Sequence, residues 1–446
     1  MAKPLETKTV FNQRLLAWIM LALAALVILR LLPLLKSPIS AYGYDYGFYL
    51  YAAAHAAGLK LGTALWGGYN SPLFYFGSLL HIPATILLNE IYLLATALLG
   101  LAWLWFFGAK RWQMGAWAIL LTACSLLQAE LYTMYLWKTV LALPFLVLGF
   151  KFLAEKKYWA WAACSAVILL THRTTAIFYF GAIALYFVYW QIRAKKIYWL
   201  AGEAAAAIVA AVLLWPTLQP IYVNLIYNNN EYVRTGLFLE GRSRLLLLWP
   251  VLLLGLPGLY FHLKRGKNPL LAIFFGLSVV WVIFRLPFFH RIWIYIDLSL
   301  IGFAAYFLGQ IDFSKKKLRT AAAILILFLV YRASDFIMAK QPLITPAETA
   351  EIKKFDQPGF VLAVSANDAP WLLGYTHDVR LGAPGLFEDP HTYQEWLDFW
   401  GGRGQQEFLS QYPRPLYLYQ RDYQIQGQAN SCLKPISPNF YEYSCD

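Results

Sequence analysis

The sequence predicts an all-α polytopic membrane bundle of about eleven transmembrane helices, with interfacial helices in the first outer loop and a small C-terminal extracytoplasmic α/β domain. Three observations lead there. The 446 residues are 60% hydrophobic, with a mean hydropathy of +0.50, and only 14% are charged. Those values exclude disorder and an ordinary soluble enzyme. Basic clusters recur between the apolar runs, and near Gln341 the apolar character stops abruptly.

The elements follow in order. Lys3, Lys8 and Arg14 precede an apolar stretch at Leu15–Leu35. It is too long for a signal-peptide core and reads as an uncleaved first span with a cytoplasmic N-terminus. The run at 73–88 is interrupted by His81 and Pro83, and counting it as a span would put Lys110-Arg111 outside. The second span is therefore set at 89–108, and 73–82 becomes an interfacial helix. Further spans are expected at 114–131, 134–153, 158–171, 174–193, 198–217, 244–264, 268–286, 291–311 and 318–338. Five basic clusters then fall on the cytoplasmic side: Lys110-Arg111, Lys151 with Lys156-Lys157, Arg193 with Lys195-Lys196, Lys264-Arg265 with Lys267, and Lys315-Lys316-Lys317 with Arg319. The positive-inside rule requires that placement. It explains the +13 net charge without nucleic acid.

Residues 1–340 thus form the membrane domain and 341–446 an extracytoplasmic one. From Glu348 onward the tail holds thirteen acidic residues against seven basic. Helices are expected around 347–355 and 393–400 and strands at 360–364 and 416–420, a small α/β layer. Cys432 and Cys445 lie in this tail and can close a disulfide outside the cytosol. Cys124 and Cys164 sit in apolar runs as small core residues.

This topology collects the unusual polar residues on the outer face. The first loop holds Asp45 within Tyr42-Gly-Tyr-Asp-Tyr-Gly-Phe-Tyr49, then His55, Lys60 and Trp66-Gly-Gly-Tyr-Asn-Ser-Pro72. Glu130 and Lys138 flank the second outer turn, and the third carries Thr171-His172-Arg173-Thr174-Thr175. The fourth, 217–243, holds Asn228-Asn-Asn-Glu-Tyr232 and Arg234, and the fifth Arg285, His290 and Arg291. Acids and bases on one water-facing side suit group transfer from a lipid phosphate. A carboxylate deprotonates the attacking hydroxyl, cations hold the phosphate and stabilise it as it leaves, and Asn, Tyr and Trp suit a sugar. Each residue also has a plainer role open to it. Asp45 can cap the helix after it, Glu130 can be a solvated loop acid, and Lys138, His172, Arg173, Arg285 and Arg291 can snorkel or touch lipid headgroups.

The first loop resembles that of the GT-C superfamily of membrane glycosyltransferases. The residues that carry the likeness are Asp45-Tyr-Gly-Phe-Tyr-Leu-Tyr-Ala-Ala-Ala54, Gly58 and Ser71-Pro-Leu-Phe-Tyr75. The pattern is similar to the branch of protein O-mannosyltransferases and lipid A aminoarabinose transferases and covers roughly residues 10–310. It implies two helices along the membrane surface in the first loop and a polyprenyl-phosphate-linked sugar donor. It also implies inverting displacement without a covalent enzyme intermediate. Carried over, Asp45 becomes the catalytic base and Glu130 the second acid. Lys138, His172, Arg173, Arg285 and Arg291 fall in the loops that bind donor phosphate. Tyr44, Tyr46, Tyr49, His55, Tyr69, Asn70 and His290 are the expected substrate contacts. Where many relatives carry Asp-Glu, this chain has Asp45-Tyr46. The expectation is transfer without a metal or other cofactor.

The reading is a glycosyltransferase that moves a sugar to an acceptor hydroxyl on a glycan, lipid or protein, with the bilayer as its other partner. No nucleotide-binding glycine loop is present. Two rivals stand beside it. A transporter or lipid-linked-sugar flippase would place charges along a path through the bundle; a non-catalytic scaffold would survive Asp45→Asn.

Overall fold

The computed structural model describes residues 5–56, 71–108, 111–194, 241–265, 269–284, 286, 289–313, 315–376, 380–421, 423, 425 and 428–445. The expected span at 198–217 and nearly all of the fourth outer loop lie outside them, as do Tyr69, Asn70, Arg285 and the side chain of His290. The described residues fall into two compact units. One comprises 5–39, 71–194 and 241–341; the other joins 40–56 of the first loop to 342–445.

The first unit is a helical bundle that runs α1 (Leu5–Leu31), α3 (Pro72–Leu79), α4 (Ala84–Phe107), α5 (Trp112–Cys124), α6 (Leu126–Thr133), α7 (Trp137–Ala154), α8 (Tyr158–Thr171), α9 (Arg173–Arg193), α10 (Gly241–Arg265), α11 (Leu270–Ile283), α12 (Phe289–Leu308) and α13 (Lys316–Ala339). Among the described residues, seven helices are long and apolar enough to cross a membrane, and α5 with α6 makes an eighth if that bent pair is one span. Helices α8 and α11 are apolar but shorter. Local sequence sets several boundaries. Ser71 Oγ accepts the Leu73 amide and Pro72 fills the first turn of α3. His81 (φ 53°) and Pro83 then separate α3 from α4, which begins at Ala84.

The expected span at 114–131 is not one continuous helix. The chain breaks at Ser125, and α5 and α6 meet at 56°. The apolar run is continuous across the break, so hydropathy does not register it.

Contacts order the ends of the bundle. Lys151 Nζ donates to Phe106 O at 3.4 Å, and the Trp117 and Phe313 rings lie 5.6 Å apart. Tyr135 OH and Trp137 Nε1 reach the Leu88 and Leu87 carbonyls at the start of α4, and Lys36 Nζ reaches Met338 O. Lys151 and Lys156-Lys157 therefore sit at one end with the start of α5 and the end of α12. The α6–α7 turn sits at the opposite end with the start of α4. Helices α10 and α12 approach through small residues: a Cβ on Gly258 would lie 1.9 Å from Phe303 O, and one on Gly255 2.8 Å from Leu300 Cδ2.

The second unit joins α2 (Tyr46–His55) to a six-stranded mixed sheet. Its elements are α14 (Pro346–Lys354), β1 (Phe360–Ala363), α15 (Ala369–Tyr375), β2 (Arg380–Ala383), β3 (Leu386–Phe387), α16 (Tyr393–Trp400), α17 (Gln405–Ser410), β4 (Leu416–Tyr419), α18 (Gln428–Ser431), β5 (Leu433–Pro435) and β6 (Phe440–Tyr443). The strand order is β3-β2-β1-β4-β6-β5, with β1 parallel to both β2 and β4. All four residues of β1 are buried, as a central parallel strand covered on both faces should be. Phe360, Leu362, Trp396, Phe399, Phe408, Leu409 and Leu416 form the core on one side. Capping boxes start α14 (Thr345 with Glu348) and α16 (Thr392 with Glu395). Cys432 and Cys445 are joined in a disulfide.

Candidate functional site

In the helical unit, the charges of three cations from separate segments act on one histidine. His172 ends α8, caps α9 and is buried. Its Nδ1 accepts the Thr175 amide at 3.3 Å and lies 2.7 Å from Thr175 Oγ1, which is 2.6 Å from Tyr295 OH of α12. The α8–α9 corner is thereby tied to α12. Burial first, and then the charges of Arg291, Lys138 and Arg173, hold the His172 pKa well below its ordinary value. The imidazole is neutral at pH 7, and because Nδ1 accepts, the proton resides on Nε2. Lys138 opens α7, Arg173 opens α9 and Arg291 lies near the start of α12. Three cations act on one neutral ring, an arrangement suited to a multiply charged anion.

Glu130, on α6, is also buried. Its Oε2 pairs with Lys340 Nζ, and Arg244, buried at the start of α10, feels its charge. A solvated loop acid does not describe it. Sequence reasoning missed both partners because they sit at span edges, where a lone cation reads as an interface residue. It missed two more charged groups altogether. Arg30 and Asp297 lie inside apolar runs and are almost fully buried in the bundle. The unusual polar residues are therefore not confined to the outer loops, where the sequence collects them.

Asp45 belongs to the second unit, in the turn before α2. It is 5% exposed, and its side chain makes no cap hydrogen bond to that helix. The capping role is therefore not what the structure shows. Tyr44 OH donates to Ala366 O at 3.0 Å, and its pKa is raised by burial and then by Asp45 and Asp368. Gly47 makes the docking of α2 on α15 possible, since a Cβ there would stand 1.8 Å from Pro370 O. A Cβ on Gly374 would likewise meet Gly47 Cα at 2.7 Å.

The sheet explains why this segment settles where it does. From β1 the chain crosses through α15 to β2 on one side, and later returns to β4 on the other. The carboxyl ends of β1 and β4 therefore form a topological switch point, where open α/β sheets leave a crevice. Asp368 and Arg421 follow those two ends and pair at 2.9 Å. Arg421 also donates to Leu343 O at 2.6 Å, and Tyr44 reaches Ala366 between β1 and Asp368. The segment bearing Asp45 thus lies where such a sheet would receive a ligand.

Of the other expected contacts, Tyr46 and Tyr49 are buried. His55 is exposed at the far end of α2, with Nδ1 2.9 Å from Tyr51 O and its ring stacked on Tyr51 at 4.1 Å. Nine residues of helix, at about 1.5 Å each, separate it from the start of α2, so His55 does not join Asp45. Among the described residues, no group of three or more His, Cys, Asp or Glu side chains is placed to hold a metal ion. No protein-family model and no curated protein matches the chain.

Proposed function

We propose that the protein is a glycosyltransferase of the GT-C type that moves a sugar from a polyprenyl-phosphate carrier to an acceptor hydroxyl. The observation that carries this reading is that the charges of Lys138, Arg173 and Arg291 all act on a buried His172. In this reading those groups hold the donor phosphate and neutralise it as it departs. The acceptor oxygen attacks the anomeric carbon, the bond from that carbon to the phosphate oxygen breaks, and a carboxylate takes the acceptor proton, the part that the sequence resemblance gives to Asp45. Configuration inverts in this single displacement. Glu130, paired with Lys340, orders the cationic end of the bundle rather than taking the proton.

Eleven crossings follow when the bent pair, the two short apolar helices and the run at 198–217 are each counted as spans. With a cytoplasmic N-terminus, the Lys151 end of the bundle faces the cytoplasm, and His172, Glu130 and the C-terminal domain face outward. The Cys432–Cys445 disulfide supports that side for the domain.

The test is transfer from a panel of labelled polyprenyl-phosphate sugars to membrane acceptors. Asp45→Asn should cut turnover by about 10²–10⁴-fold while donor binding persists. Asp45→Asn is nearly isosteric and keeps an acceptor oxygen, and thermal unfolding of the variant, measured beside turnover, separates lost chemistry from lost fold. Equal turnover by the variant would remove Asp45 from the chemistry.

One observation favours a second reading. A helix broken inside the bundle beside buried Arg30 and Asp297 is a feature of transporters. A lipid-linked-sugar flippase would move its substrate across liposomes with no acceptor present, and Asp45→Asn would leave that movement intact.

A further inference from the structure

The break between α5 and α6 opens backbone groups inside the bundle, where water is not at hand to satisfy them. Two buried charges meet that need from opposite sides. Arg30 of α1 donates through Nη1 to Ala123 O at 3.3 Å and through Nη2 to Thr122 O at 3.0 Å, the carbonyls at the end of α5. Its guanidinium also lies 5.9 Å from the Tyr132 ring of α6. Asp297 of α12 serves the other side. Its Oδ2 accepts from Ser125 Oγ and from Gln128 Nε2, both at 2.8 Å. Ser125 Oγ in turn accepts the Gln128 amide at 3.2 Å, capping α6.

The signs fit the helix dipoles: a cation at the C-terminal end of α5 and an anion at the N-terminal end of α6. Neither residue makes a direct ion pair with the other among the described contacts. Each is spent on one side of the break. A small cavity of ≈ 10 Å³, close to what one water needs, lies between Arg30, Thr96, Thr122, Gln128 and Tyr132.

We infer that Arg30 and Asp297 form a charge clasp that breaks an otherwise continuous apolar helix and thereby aims α6. They are positioning residues for Glu130, which α6 carries toward Lys340 and Arg244. A straight helix through 112–133 would carry residue 130 onward along the α5 axis instead. The consequence for chemistry rests on the role given to this end of the bundle above; the geometry of the clasp does not.

The test therefore reads position, not turnover. In a chain with Cys124→Ser and Cys164→Ser, Glu130→Cys and Lys340→Cys are joined with a short bis-methanethiosulfonate reagent. Lys36→Cys and Met338→Cys, which report the neighbouring ends of α1 and α13, form the control pair. Asp297→Leu should slow cross-linking of the 130–340 pair by about tenfold or more, the scale of two lost charge-assisted hydrogen bonds, with the 36–338 pair unchanged. Asp297→Asn keeps an acceptor oxygen and should fall between. Ser125→Ala, nearly isosteric, should slow the 130–340 pair as well and carries the test should Asp297→Leu fail to fold. Unchanged cross-linking at 130–340 would overturn the inference, and so would equal slowing of both pairs, which would mean general loosening. Because no transfer assay enters, the clasp can stand if the glycosyltransferase reading fails.

Discussion

At the scale of single residues, His172 is the most informative. Its pKa is depressed in the folded protein, whereas an unfolded chain would titrate it near 6.5. Between those two values the unfolded state binds more protons. The His172 contribution is therefore complete above about pH 6.5 and is lost as pH falls toward the depressed value. Thermal stability in detergent should drop between pH 7.5 and 5.5, and His172→Asn, which retains a cap acceptor for Thr175 N, should flatten that slope. His391, also lowered by burial, contributes with the same sign, so part of the slope should remain. An unchanged slope would show that His172 is not the buried neutral group described. The cations around it make a separate prediction. Lys138→Ala or Arg291→Ala should raise the KM for donor by about 10–100-fold, the scale of a lost charged hydrogen bond, with a smaller effect on KM for acceptor. The placement of these cations at helix edges was legible in the sequence because each sits at the edge of an apolar run. Arg30 and Asp297 were not, since each is a single charge inside a run whose average hydropathy hides it.

At the scale of elements, the docking of α2 on α15 is fixed by backbone proximity rather than by side-chain affinity. A methyl on Gly47 would meet a carbonyl oxygen at 1.8 Å, and backbone yields less readily than the end of a flexible side chain. Gly47→Ala should destabilise the second unit by about 1–3 kcal/mol. It should also lower turnover further than that loss explains, because Asp45 stands just before the displaced helix. Calorimetry on the purified protein, set beside the transfer assay, separates the two effects. If stability and turnover are both unchanged, the close approach is absent. The sequence shows this glycine but not what it faces, because Pro370 is more than three hundred positions away. The same limit applies within the sheet. Strands β1 and β4 were readable as compact apolar runs, whereas β2, β5 and β6 are interrupted by Gly382, Pro435 or Glu442. Pairing, not propensity, makes them strands. The T-x-x-E signals that start α14 and α16 were the strongest local marks in the tail.

At the scale of the whole molecule, the distribution of charge and the distribution of contacts agree. Lys151 and Lys156-Lys157 lie at the end of the bundle opposite the α6–α7 turn, the separation that the span count predicts for them. The expected grouping of the five clusters rests on the span count, because an error of one span would alternate the clusters between sides. Hydropathy was not enough for span number, since a fourteen-residue helix such as α8 or α11 is apolar without being long. Sidedness can be measured directly. Cys124 and Cys164 are buried and Cys432 and Cys445 are bonded to each other, so the native chain offers little background to an impermeant maleimide. Lys157→Cys and Gln411→Cys place an exposed thiol in each unit. In intact cells the reagent should label Gln411→Cys and leave Lys157→Cys unlabelled until the membrane is permeabilised. The reverse pattern would put the C-terminal domain in the cytosol. That outcome would also weigh against the glycosyltransferase reading, because the cytosol supplies activated sugars as nucleotides and the chain carries no nucleotide-binding glycine loop. Labelling at both positions would instead place the Lys151 end of the bundle outside, and the positive-inside argument for this chain would fall with it.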